Sequence, residues 1–313
     1  MQRYNHHALV LLAASTLHVS GCADIDTQEP IDVDTPRSEA TDDIAEATQA
    51  LHIDAARKDF NRDGRTDVLW WQPATGRLSP WLLNGTTVIG NPLINWTAPL
   101  VGWWPRGTGD FDADGQTDVM WWHPSDGAVS IWFLNGVTVT RNADLNWRVP
   151  DSTGWSLHGT GDFNRDGRTD VVWWHAEKGE VSLWLLNGTT VAQNPILGWG
   201  AKRSDGWDLA GTGDFNRDGN SDLLWYNSVT REVNTWLLSG SNIIGNPTVD
   251  QLQWGTRQLV GTGDYNGDGH TDLLWLDRAS ATAETWLLAG THFLGSLPLS
   301  PQKAPEDWIP VSR

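Results

Sequence analysis

The chain has 313 residues and a formal net charge of −18, from 39 acidic against 21 basic side chains. A balance this negative excludes nucleic acid as the expected partner, because phosphate binding needs Lys and Arg. The single cysteine excludes an intramolecular disulfide, so packing and metal must hold the fold. Tryptophan is the anomaly: 22 Trp stand against 6 Phe and 3 Tyr. All 22 tryptophans lie between Trp70 and Trp308, so the bias belongs to a repeated unit.

At the N-terminus, Arg3 precedes an uncharged apolar run from Ala8 to Leu17. It is too short to span a bilayer and fits the core of a signal peptide. Val19-Ser20-Gly21-Cys22 follows and resembles the lipobox of bacterial lipoproteins. That resemblance implies removal of residues 1–21 and acylation of Cys22, hence export and a lipid anchor at the outer membrane or cell surface. Residues 22–50 carry nine acids, one base and two prolines, with no aromatic residue. Such a stretch cannot bury enough apolar surface to fold and reads as an acidic tether.

Residues 51–313 are organised by an internal repeat. The string Asp-aromatic-Asx-x-Asp-Gly-x-x-Asp begins at Asp59, Asp110, Asp162, Asp214 and Asp264, at intervals of 51, 52, 52 and 50 residues. Each loop leads into an apolar run ending in aromatics, such as Val68-Leu69-Trp70-Trp71. A turn and a second run, Trp81-Leu82-Leu83, follow and close on Asn84-Gly85, a strong hairpin signal. A third run (Thr86 to Ile89) and a fourth (Trp155 to Gly161 in a later copy) complete the unit. Four short strands per roughly 50 residues without helical periodicity predict an all-β, five-bladed β-propeller of four-stranded antiparallel blades. A β-solenoid is the runner-up. Trp155 precedes Asp162 by seven residues, as Trp207 precedes Asp214, whereas no loop follows Trp308. Trp308 to Ser312 is therefore expected to pair into the first blade and close the ring.

In each loop, hard oxygen donors alternate along the chain. The first offers Asp59, Asn61, Asp63 and Asp67, with the backbone carbonyl of Arg65 between them. The second offers Asp110, Asp112, Asp114, Asp118 and the carbonyl of Gln116. The third offers Asp162, Asn164, Asp166, Asp170 and that of Arg168. The fourth offers Asp214, Asn216, Asp218, Asp222 and that of Asn220, and the fifth Asp264, Asn266, Asp268, Asp272 and that of His270. Three or four carboxylates within nine residues repel one another unless a cation sits among them. The donor set and the Gly at position 6 suit calcium, about five ions in all. An EF-hand would need Glu at position 12, where Trp70 stands, so the Asp at position 9 takes that role.

Asp-Phe-Asn-Arg-Asp-Gly-Arg-Thr-Asp, preceded by Gly-Thr-Gly, resembles the FG-GAP (VCBS-type) repeats of integrin-alpha propellers and many bacterial surface proteins. The resemblance covers residues 53–313 and implies a propeller in which each loop links the first two strands of a blade and binds calcium.

Two tryptophans recur in every copy, represented by Trp70 and Trp81, and read as core between blades. The aromatics that vary between copies are the candidates for stacking on sugar rings. They are Trp71, Trp122, Trp174 and Tyr226 at the second doublet position, and Trp96, Trp147, Trp199 and Trp254 in the outer connection. No Ser-His-Asp set, nucleophile elbow, phosphate loop or Cys/His metal spacing appears, and Glu180, Glu232 and Glu284 recur as strand residues would. The chain reads as a non-catalytic, monomeric surface binder of a glycan. A protein partner or a structural envelope role is the alternative, and a polysaccharide hydrolase or lyase a further one.

Overall fold

The computed structural model describes residues 58–97, 101–249, 257–277, 279–303 and 307–311. The signal peptide, Cys22, the tether, Trp254 and Ser312 lie outside the described residues. The chain is all-β, with two short 3-10 turns at Asp151–Thr153 and Arg203–Asp205. Among the described residues no helix is long and apolar enough to cross a membrane.

The strands group by repeat. The first copy gives β1 (Val68–Gln72), β2 (Arg77–Asn84) and β3 (Thr87–Gly90). The second gives β4 (Trp104–Gly109), β5 (Asp118–His123), β6 (Ala128–Asn135) and β7 (Thr138–Asp144). The third gives β8 (Trp155–Gly161), β9 (Asp170–His175), β10 (Glu180–Asn187) and β11 (Thr190–Gln193). The fourth gives β12 (Trp207–Gly213), β13 (Asp222–Asn227), β14 (Val233–Ser239), β15 (Asn242–Gly245) and β16 (Thr248–Val249). The fifth gives β17 (Arg257–Gly263), β18 (Asp272–Asp277), β19 (Thr282–Ala289) and β20 (His292–Lys303), before a final β21 (Ile309–Pro310). Copies two to four each form an antiparallel sheet with four strands in chain order, β16 adding to β14. β17 to β20 follow the same order and continue, through a parallel contact of β20 with β3 at Ser300 and Thr87, into the strands of the first copy. β1, β2 and β3 form a three-stranded meander, and β21 lies along the free edge of β1. Its register matches that of the other inner strands: Ile309 faces Trp71 as Trp104 faces Trp122.

The hairpins correct one detail of the sequence reading. Asn84 pairs with Thr87, so the two-residue turn is Gly85-Thr86 and Asn84 belongs to the strand. Only the first turn residue has positive φ (Gly85 at 63°, Gly136 at 59°, Gly188 at 60°), the type II′ pattern. This explains why Ser239 and Ala289 can replace Asn: that position is extended, and only the glycine is demanding.

The core lies between sheets. Four of five apolar clusters are each drawn from two copies consecutive in sequence, and the fifth cluster joins Val68 and Trp70 of the first copy to Leu274 and Leu299 of the fifth. Trp70, Trp121, Trp173, Trp225 and Trp275 are each 1% exposed. Each packs tilted against the second recurring tryptophan of its copy, with ring centroids 4.6–4.9 Å apart. The loop aromatics Phe60, Phe111, Phe163, Phe215 and Tyr265 are buried in the same layers.

Candidate metal loops and aromatic platforms

Every repeat loop is folded by its own carboxylates. In the first, Asp59 Oδ1 accepts from the Asp63 N–H at 3.1 Å and Oδ2 from the Gly64 N–H at 2.7 Å. Asp63 Oδ1 in turn accepts from the Arg65 N–H at 3.0 Å. Position 4 adopts a left-handed backbone in all five loops, with Arg62 at φ 61°, Ala113 at 61°, Arg165 at 60°, Arg217 at 61° and Gly267 at 80°. Only Gly267 carries a sequence signal for this conformation; the side-chain hydrogen bonds impose it on the other residues.

The Asp at position 9 splints the loop to the second strand that follows. Asp67 accepts from the Phe60 N–H through Oδ2 and from the Leu83 N–H through Oδ1, both at 2.8 Å. Asp118, Asp170, Asp222 and Asp272 repeat the pair of contacts. Burial pushes these carboxyls far above the usual range, and neighbouring loop acids add to the rise against the lowering by backbone N–H groups. Asp67, Asp170 and Asp272 are pushed up to about 7, and Asp118 and Asp222 to about 8. Asp59, Asp110 and Asp264 at position 1 are raised too, again chiefly by burial.

These residues fit a hard cation. Carboxylate oxygens of Asp110, Asp112 and Asp118 come within 4.8 Å of one another. Each position-9 oxygen accepts one backbone bond and keeps a further lone pair. A cation would remove the burial and repulsion that raise these acids. The second loop stands apart, because Asp112 replaces the usual Asn and is held at 2.7 Å by Arg141, whose guanidinium covers the Phe133 ring. In the other four loops the position-3 amide donates to the position-5 carboxylate, as Asn61 does to Asp63 at 3.0 Å.

Two hydrogen-bond circuits join the loops, and the sequence analysis assigned neither. Position 8 of each loop bonds to the position-1 carbonyl of the preceding loop. Thr117 reaches Asp59, Thr169 reaches Asp110, Ser221 reaches Asp162 and Thr271 reaches Asp214. Thr66 of the first loop reaches Asp264 of the fifth at 3.3 Å. The threonines of the Gly-Thr-Gly strands form the second circuit. Thr160 donates to the Thr108 carbonyl at 2.7 Å, Thr212 to Thr160 at 2.6 Å and Thr262 to Thr212 at 2.5 Å. The first copy has no such threonine, and the Lys58 ammonium donates to the Thr262 carbonyl at 2.8 Å in its place. The glycines permit this approach: a Cβ on Gly263 would lie 2.3 Å from the Thr66 methyl group. Gly-Thr-Gly before the second to fifth loops was the available signal.

The ligand-candidate aromatics divide. Trp71, Trp122 and Trp174 are buried, which corrects their expected role as stacking surfaces. Trp122 and Trp174 turn edge-on to Trp173 and Trp225 of the next sheet, at 5.7 and 5.6 Å. Their indole N–H groups donate to the carbonyls of Val149 and Ala201. Tyr226 is half-buried and its hydroxyl accepts from Arg231 at 2.8 Å. The outer set is open: Trp96, Trp147 and Trp199 are 54%, 48% and 54% exposed. Each has its ring near a core tryptophan of the following sheet, Trp132, Trp184 and Trp236. Asn95 and Asn146 anchor the first two by accepting from the N–H groups of Val139 and Val191.

Among proteins of known structure, a Bacteroides caccae protein of unknown function aligns at 12% identity and TM-score 0.41, over 74% of this chain and 72% of that one. A chain of the nidogen/laminin complex aligns at 15% identity and TM-score 0.40, over 76% and 95%. The Dos1 propeller aligns at 9% identity and TM-score 0.37, over 74% and 54%. No curated protein matches the sequence. The model of the FG-GAP-like repeat matches residues 59–121, 110–173 and 162–225, which together span more than half of the sequence. With the repeated sheets and loops described above, the chain belongs to the family of FG-GAP-like repeat β-propeller proteins.

Proposed function

We infer that the protein is a five-bladed, calcium-stabilised propeller, lipid-anchored through Cys22, that binds glycans at its outer tryptophans. Five blades and a ring closed by the C-terminal strand are supported by the β21–β1 register and by the Thr66–Asp264 bond between the first and last loops. Calcium would be held by the side chains at positions 1, 3, 5 and 9 and the position-7 carbonyl. It supplies positive charge where buried carboxylates otherwise raise one another's affinity for protons.

The observation that carries glycan binding is the outer triplet. Trp96, Trp147 and Trp199 recur at equivalent positions, about half exposed, with their rings placed by the sheet beneath. A fixed indole face suits the C–H face of a sugar, and equivalent weak sites gain strength together on a polymer. A glycan-array screen of the full chain in calcium, repeated with chelator, tests this reading. Binding to one sugar class that is lost in a Trp96→Ala, Trp147→Ala, Trp199→Ala triple variant supports it. A folded chain that binds no glycan points instead to a protein partner.

A further inference from the structure

Four of the inner strands end alike, in Gly-Thr-Gly before the second to fifth loops, and all of them begin differently. Aligned by their partners on the second strands, Trp104, Ser156, Asp208, Gln258 and Ile309 occupy one position. Two residues further on stands Arg106, where the third copy has His158 and the others have Ala210, Val260 and Val311. A repeat that keeps one end of a strand constant and lets the other end differ in charge, size and polarity has lost its symmetry locally. A site for a single asymmetric ligand requires that loss.

At this variable end, strands β4, β17 and β21 enclose a cavity of about 160 Å³. Its walls are apolar, formed by Leu259, Val260, Ile309, Pro310 and Val311. Trp104 stands at its rim, 43% exposed, edge-on to Trp71 with ring centroids 5.2 Å apart. Gln258 supplies a neutral polar group. Arg106 supplies the only charge among the described lining residues, its guanidinium 5.8 Å from the Trp104 ring centroid and 5.5 Å from that of Trp122. Arg106 also lines the narrower space toward the loops, about 30 Å³ between the Gly-Thr-Gly strands, which has room only for water. It therefore forms the floor on which a ligand entering the larger cavity would rest.

We propose that this cavity binds one small carboxylate built on a single six-membered ring, with the ring against Trp104 and the carboxylate on Arg106. A cavity of about 150 Å³ is known to take a benzene-sized ring. The Arg106 guanidinium is the charged group that the described lining residues present to a ligand in this cavity, which favours an anion. The guanidinium fork matches a carboxylate in a way that an ammonium does not. The proposal involves none of the outer tryptophans, so it stands or falls separately from glycan binding there.

The test is calorimetric titration of the full chain in calcium with four probes: benzoate and D-glucuronate as the acids, benzamide and D-glucose as their neutral counterparts. The expected result is one acid per chain, with the neutral counterpart about tenfold or more weaker. Benzoate binding would indicate an aromatic acid as the source, and glucuronate binding an acidic sugar. Arg106→Gln should lose about the same factor, and Arg106→Lys, which keeps the charge without the fork, should fall between. The Trp96, Trp147, Trp199 triple variant should bind the acid unchanged. Equal binding of acid and neutral counterpart, more than one site per chain, no binding of either acid at millimolar concentration, or an Arg106→Lys variant that folds and binds as the parent does would each overturn the proposal.

Discussion

The two ends of the inner strands differ in what their sequences conserve within the chain. Toward the loops, four strands end in Gly-Thr-Gly, five loops repeat the same carboxylate bonds, and each loop is tied to the one before it. At the other end the equivalent positions hold an indole, a hydroxyl, a carboxylate, an amide and an alkyl group. Repetition in this chain marks what joins sheet to sheet, and divergence marks surfaces free to specialise. The tryptophans follow the same division: the recurring pairs are interior, and the half-exposed triplet lies in the outer connections, where the copies differ most.

The largest effect should come from breaking a recurring pair. Trp173→Ala removes an indole buried against Trp184 and Trp122 and should cost about 3–5 kcal/mol in denaturant unfolding. Asp170→Asn should cost about 1–3 kcal/mol, because an amide nitrogen then faces one of two backbone N–H groups that now meet carboxylate oxygens. It should also lower the number of bound calcium ions by one, countable by metal analysis after dialysis.

pH sharpens the contrast between ends. The position-9 acids have folded pKa values raised to about 7–8, above the ordinary carboxylate value of about 4. The metal-free fold binds more protons than the unfolded chain, so its stability is greatest below about pH 4 on this account and falls as pH rises toward 8. Saturating calcium should reverse that trend, as melting curves across the range with chelator and with metal would show. Thr212→Val cuts one link of the threonine circuit and should cost about 1 kcal/mol. Smallest in stability is Trp147→Ala, within about 0.5 kcal/mol as an exposed change, although it should weaken glycan binding on an array.

Much of this was legible in the sequence, because the 50-residue period exposed the strands, the loops and the recurring tryptophans together. The position-4 conformation was hidden, since Arg62, Arg165 and Arg217 are residues that give no warning of positive φ. Trp122 and Trp174 were misread because variation between copies looked like exposure. Yet Leu276 at the equivalent place is buried too, so the variation reflects differing partners in the adjoining sheet. The circuits escaped notice because they connect residues about 50 positions apart whose pairing depends on how neighbouring sheets meet.

Calcium binding by the repeated loops is the central claim, and one experiment reaches it directly. Differential scanning calorimetry of the full chain, stripped of metal and then titrated with calcium at pH 7, should show a melting temperature that climbs with concentration. Each site filled at one hundred times its dissociation constant adds about 2.7 kcal/mol. Metal analysis at saturation should find about five ions per chain, one per loop. A melting temperature indifferent to both calcium and chelator would contradict the account, leaving the loop carboxylates as elements that hold the backbone alone.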